Sequence, residues 1–201
     1  VEFATFFAQL GIPVTVVEAL PSLLNTLDPD IAKAHNGQLK KQGVDVRAGH
    51  KVVSIEPDGD SFTVSAQNAK DETVTFTAPT VLCAVGRRSL AADAIDESVG
   101  VELERGAVAT DERFATSGPG IYALGDVVAG NVQLAHVASE DGHRFIASLY
   151  ADDLKPEPAI PSCVYTSPEI AQIGDTEASD GEKGGTAVSA RIPMGGNALT
   201  T

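Results

Sequence analysis

Asp126 is placed where a folded chain offers a carboxylate to a bound molecule. It lies in the stretch IYALGDVVAGNVQLAHVASEDG, residues 121–142. IYAL is an apolar run of strand length, Gly125-Asp126 ends it, Gly130-Asn131 marks a loop, and helical spacing of apolar residues then runs from 134 to 150. In an open α/β sheet, ligands bind in the crevice beyond the strand ends, where an ionised Asp accepts hydrogen bonds from sugar or sugar-alcohol hydroxyls. The following helix start, Gln133-Leu134-Ala135-His136, adds free N–H groups and a positive dipole end that favour an acceptor or a developing anion. Taken alone, Gly125-Asp126 also reads as a plain turn and His136 as an ordinary residue near a helix start.

A second acid, Glu18, closes the β-branched run PVTVVE of residues 13–18. Such a continuous apolar strand suits a parallel sheet covered on both faces. Ahead of it, residues 1–10 place Val1, Ala4, Phe7 and Ala8 on one helix face, and Gly11 supplies a stop. Helix, strand and terminal acid form the second half of a dinucleotide-binding unit, in which the acid accepts ribose hydroxyls. Glu18 is placed for that role, with a solvated strand-end acid as the alternative. The Gly-rich turn that opens such a unit is not in the chain. The sequence begins at Val1 with the helical pattern already running and ends at Leu199-Thr200-Thr201 without a stop signal, as expected of an internal stretch of a longer protein.

Between and beyond these acids lie the elements that position them. Asp28-Pro29 predicts a helix start, with Ile31, Ala34 and Leu39 as its apolar residues and Gly43 as its end. A short strand over 44–47 follows, and then 51–56, 61–66 and 72–77 alternate around Asp58-Gly59 and Lys70-Asp71 turns as an antiparallel meander. Residues 80–86, TVLCAVG, predict a fully apolar strand rejoining the parallel sheet, with Gly86 ending it where a ligand's backbone contact needs no Cβ. The strand that would separate 13–18 from 80–85 is not in the chain, so no ladder between those two is expected. Short strands flank an Arg105-Gly106 turn, Lys155-Pro156-Glu157-Pro158 reads as a linker, 175–185 as loop or poorly formed helix, and the chain from Met194 as entry to a strand.

Fourteen basic against twenty-eight acidic residues give a net charge of −14, which repels nucleic acid phosphates and anionic membrane surfaces. No nucleic acid and no membrane partner is expected, and no apolar run approaches the roughly 18 residues needed to span a bilayer. Cys83 and Cys163 each lie in an apolar run, predicting buried free thiols and a reducing, cytoplasmic setting. No metal-ligand cluster stands out.

The order of these motifs resembles the pyridine nucleotide-disulfide oxidoreductases, and within them the dihydrolipoyl dehydrogenases, across nearly all of the chain. The second flavin motif of that family is a strand ending in Gly-Asp followed by a Leu-Ala-His helix start. The resemblance therefore implies FAD binding by Gly125, Asp126, Gln133, Leu134, Ala135 and His136. Val1-Glu2 match the end of the family's Gly-rich turn, and the resemblance implies NAD contacts from Val1, Glu2, Glu18, Val52 and Gly86. Gly86-Arg87-Arg88 resembles the Gly-Arg motif that closes the nucleotide domain, with Ser89 in place of the usual Pro. Tyr165-Thr166-Ser167-Pro168-Glu169 resembles the opening of the family's interface domain, implying a homodimer through the region after Pro156.

The implied architecture is α/β. It comprises a partial Rossmann-like NAD domain with its first strand missing and a β-meander (1–88), the second half of an FAD domain (89–155), and the start of an α+β interface domain (156–201). The implied substrate is dihydrolipoamide, carried by a lipoylated acyltransferase or carrier protein. The family's redox Cys-x4-Cys pair and its His-x4-Glu base lie outside this chain, which is expected to be inactive alone. Glutathione reductase-like, mercuric reductase-like and soluble transhydrogenase-like flavoproteins are the alternatives, as is a non-catalytic nucleotide-binding or dimerisation module.

Overall fold

The computed structural model describes residues 1–151 and 158–192. The chain groups into two units, Val1–Val81 with Ala159–Thr201, and Leu82–Pro158.

In the first unit, helix α1 (Glu2–Gln9) leads to strand β1 (Thr15–Glu18), helix α2 (Pro29–Lys41) and strand β2 (Asp45–Ala48). The two strands are parallel and in register from Thr15 opposite Asp45 to Glu18 opposite Ala48, the pairing that a crossover helix permits. Helix α2 forms where Asp28 accepts from the Asp30 N–H at 2.9 Å, Pro29 opens the first turn, and Lys40 and Lys41 face the negative end of the dipole. Its buried stripe is Ala32, His35 and Leu39, not the expected Ile31, Ala34 and Leu39. Steps of three and four residues keep 32, 35 and 39 in line, whereas 31 and 34 lie about 100° round the helix from that line. Leu39 joins Ala4, Leu23 and Val44 in a core on which Val1, Ala8, Val14, Val16 and Val46 pack.

The meander forms as expected from β3 (His50–Asp58), β4 (Ser61–Asn68) and β5 (Thr73–Ala78), all antiparallel, with a register shift between Val52 and Ser54. Residues 80–85 then depart from expectation. They enter no ladder among the described residues, and Leu82 and Val85 are 58% and 91% exposed. A strand is held by its neighbours' N–H and C=O groups; among the described residues β1 pairs with β2 and 80–85 form no strand to stand parallel to it. The cysteines need correcting: both thiols are free, yet both residues are exposed.

In the second unit, helix α3 (Ala91–Ala94) precedes a hairpin of β6 (Leu103–Glu104) and β7 (Ala107–Val108) about Arg105-Gly106, and helix α4 (Ala135–Tyr150) closes the unit. Residues 121–124 are not the expected strand. Tyr122 makes a single bridge to Ala115, and one bridge lacks the repeated pairing that defines a ladder. Phe145 of α4 packs against Phe114 and Tyr122 with ring centroids 6.3 and 5.0 Å away. Arg113 donates to the carbonyls of Ser148 and Ala151, placing a cation at the negative end of α4.

Returning to the first unit, β8 (Ser162–Val164) and β9 (Ile170–Gln172) form an antiparallel hairpin. A short helix, α5 (Glu177–Glu182), occupies part of 175–185 because Thr176 and Ser179 cap each other reciprocally. The expected linker over 155–157 and the strand entry from Met194 lie outside the described residues.

His35 gives this unit a pH dependence. It is 4% exposed, and neither ring nitrogen has a partner among the described residues. Burial pushes its pKa below the ordinary value near 6.5. The unfolded chain therefore binds this proton more readily than the folded one. The contribution is nil well above pH 6.5 and becomes destabilising as pH falls through 6.5, until the folded pKa is passed. We expect the denaturant midpoint to drop between pH 7.5 and 5.5 and His35→Leu to flatten that drop. An equal drop in the variant would remove His35 as its cause.

Candidate functional site

Asp126 sits in a single 3-10 turn, Gly125–Val127, with its side chain 47% exposed. Gly125 makes the turn possible in two ways. Its φ is +70°, and a Cβ built on it would lie 2.8 Å from the Ala138 Cβ on α4. Only a residue without a side chain accepts both the left-handed backbone and the helix's close approach. The Gly125 N–H donates to Oδ2 of Asp141 at 2.9 Å, and Asn131 Nδ2 donates to the same oxygen at 2.7 Å and to the Gly125 carbonyl at 3.2 Å. Asp141 is 4% exposed, so a buried carboxylate on α4 locks the turn and the loop after it into one arrangement.

The loop then returns to Asp126. Gln133 Nε2 donates to the Asp126 carbonyl at 3.4 Å, and Arg87 Nη2 donates to the Gln133 carbonyl at 2.7 Å. Arg87 Nη1 also stands 3.6 Å from Asp126 Oδ2. Leu134 is the N-cap of α4 and supplies no capping side-chain bond, while Ala135 and His136 are exposed in the first turn. An exposed carboxylate thus stands in the same loop cluster as a sixteen-residue helix whose start is uncapped by a side chain. That donor and acceptor set suits a polyhydroxyl chain joined to a group that becomes anionic. Gly86, in the same unit, has φ +112° with open space where a Cβ would be, which fits backbone contact with a ligand.

In the first unit, Glu18 ends β1, half-buried, with Oε1 accepting from the Leu20 N–H at 2.8 Å. Glu2 opens α1, and its Oε1 accepts from the Tyr165 N–H at 2.8 Å, tying the helix start to the loop after β8. Val1 is the N-cap of α1 and packs on the core, whereas Val52 is 38% exposed beside the β3 irregularity.

The structure gathers Gly125, Asp126, Gln133 and the α4 start, and adds Asn131, Asp141 and an ionic role for Arg87 that sequence reasoning missed. One signal for Asp141 was available. It lies four residues after the buried Val137, an acid on the apolar face of an amphipathic helix.

A parallel β-α-β half followed by an antiparallel meander is an α/β arrangement. Residues 1–142 match the family described as pyridine nucleotide-disulphide oxidoreductase, and the chain belongs to that family of oxidoreductases. It is 37% identical over 210 residues to a dihydrolipoyl dehydrogenase of Haloferax volcanii, covering 100% of this chain and 43% of that protein. It is also 37% identical over 182 residues to one of Bacillus subtilis, covering 88% of this chain and 38% of the relative. Among solved structures it is similar to the HOCl-induced flavoprotein disulfide reductase RclA of Escherichia coli, with a TM-score of 0.78, 29% identity, and coverage of 90% of this chain and 41% of that one. The chain thus spans about two fifths of the length of the relatives it matches. Among the described residues, no helix is long and apolar enough to cross a membrane.

Proposed function

We propose that this chain is the nucleotide-binding part of an FAD-dependent dithiol-disulfide oxidoreductase, a dihydrolipoyl dehydrogenase that oxidises dihydrolipoamide with NAD. The observation that carries the reading is the exposed Asp126 carboxylate, locked beside the uncapped α4 start by Arg87, Asn131 and Asp141. FAD would be held by Gly125 and Asp126, with Asp126 accepting from a ribitol hydroxyl, and by Gln133, Leu134, Ala135 and His136, whose backbone faces the pyrimidine end of the flavin. Bound FAD supplies a carrier of two electrons between a dithiol and a nicotinamide. The chain's own residues orient it and stabilise negative charge at the helix start.

NAD would lie against Val1, Glu2, Val52 and Gly86, with Glu18 accepting its ribose hydroxyls. A carboxylate there repels the 2′-phosphate of NADP. Domain limits at 88 and 155, a homodimer through the region after Pro156, a lipoylated acyltransferase or carrier as source of the dithiol, and a cytoplasmic setting complete the reading. A related flavoprotein disulfide reductase acting on another dithiol is the second reading, favoured by the similarity to RclA.

Steady-state turnover of the full-length protein with dihydrolipoamide tests the substrate, and Glu18→Arg tests the nucleotide. The unaltered protein should reduce NAD far faster than NADP, and Glu18→Arg should move the kcat/KM ratio toward NADP by roughly tenfold or more, equivalent to about 1.4 kcal/mol. Faster turnover of NADP by the unaltered protein would overturn the role of Glu18. No turnover of dihydrolipoamide alongside rapid NADH oxidation with another disulfide would favour the second reading.

A further inference from the structure

We propose that Arg87 is a positioning residue for the flavin side of the site, setting the direction in which Asp126 presents its carboxylate. This rests on the reading of Asp126 as the ribitol acceptor. The two arms of one guanidinium reach two points of the loop cluster: Nη2 bonds the Gln133 carbonyl at 2.7 Å, and Nη1 stands 3.6 Å from Oδ2 of Asp126. Gln133 closes the ring by donating to the Asp126 carbonyl at 3.4 Å. Arg87 is 46 residues from Gln133 in sequence and joins two loops that, among the described residues, no shared strand holds together.

The geometry has a directional consequence. Arg87 draws Oδ2 to one side, which leaves Oδ1 to accept from a ligand hydroxyl. A side chain at 47% exposure otherwise samples several rotamers, and ordering it on binding costs affinity. Arg87 removes that cost beforehand. The pair itself adds little to folding, because the Arg87 side chain is 65% exposed and solvent screens the attraction. Lys cannot replace it in full, since an ammonium lacks the two-armed reach of a guanidinium. Gly86, immediately before it and at φ +112°, sets where the arm begins.

The test uses full-length apoprotein titrated with FAD, followed by flavin fluorescence and by the visible absorption bands of the bound flavin. Arg87→Ala should weaken FAD binding roughly tenfold while leaving the apoprotein melting temperature unchanged. Arg87→Lys should regain part of the loss. The double variant Arg87→Ala with Asp126→Asn should bind no more weakly than Asp126→Asn alone, because Arg87 acts through that carboxylate. Unchanged affinity in Arg87→Ala, or a loss that adds in full to that of Asp126→Asn, would overturn the proposal. An apoprotein that unfolds in Arg87→Ala would also overturn it, since Arg87 would then be a folding residue. Failure of the unaltered protein to take up FAD would instead overturn the flavin reading itself.

Discussion

Gly125→Ala is expected to destabilise the full-length protein by about 2–5 kcal/mol and to abolish most FAD retention. Two costs combine at this position. An L-residue at φ +70° costs on the order of 1–2 kcal/mol, and a methyl 2.8 Å from the Ala138 Cβ forces helix and turn apart, at roughly 1–3 kcal/mol. The neighbour is a short, helix-held side chain and cannot rotate away. Pairing Gly125→Ala with Ala138→Gly separates the two, because the second change relieves the collision and not the backbone strain. Urea midpoints of the three variants should therefore rank unaltered, double, then single. A Gly125→Ala midpoint equal to that of the unaltered protein would show that the turn does not have this conformation.

Asp141→Ala is the second large effect. Removing the carboxylate leaves the Gly125 N–H without its buried acceptor and takes from Asn131 Nδ2 the shorter of its two bonds, the one to the Gly125 carbonyl remaining. An orphaned buried donor costs on the order of 1–3 kcal/mol and a lost hydrogen bond to a charged group about 1.5–3 kcal/mol, so a loss of about 2–5 kcal/mol is expected. Asp141→Asn keeps one acceptor oxygen and should lose less. Because the locked turn carries Asp126, FAD affinity should fall in step with stability across the two variants. Stability of Asp141→Ala within about 0.5 kcal/mol of the unaltered protein would mean that water replaces the carboxylate and that the lock is dispensable.

Much of this arrangement was legible in the residues. Asp28-Pro29 announced α2, the alternation of 51–77 announced the meander, and Gly125-Asp126 and Leu134 announced the turn and the start of α4. Local chemistry decides such features, so local reading finds them. What escaped depends on distant partners. Residues 80–85 and 121–124 are apolar enough for strands, but a ladder needs a neighbour, and hydrophobicity says nothing of whether one is present. The burial assumed for Cys83 failed with the strand that carried it. On α2, the choice between Ile31 and Ala32 is a rotation of about 100° that only packing against α1 and β1 settles. Asp141 was passed over because a helix-face acid normally reads as solvated, and its two donors come from 10 and 16 residues earlier in the chain. Arg87 was noticed for its motif, whereas its function in the fold comes from a carbonyl 46 residues away.

The difference in FAD affinity between the unaltered full-length apoprotein and Asp126→Ala tests the flavin assignment most directly. Loss of a hydrogen bond to a carboxylate predicts a penalty of about 1.5–3 kcal/mol, roughly a ten- to hundredfold rise in Kd, with the melting temperature of the apoprotein unmoved because the side chain is half exposed. Equal dissociation constants for the two proteins would contradict it.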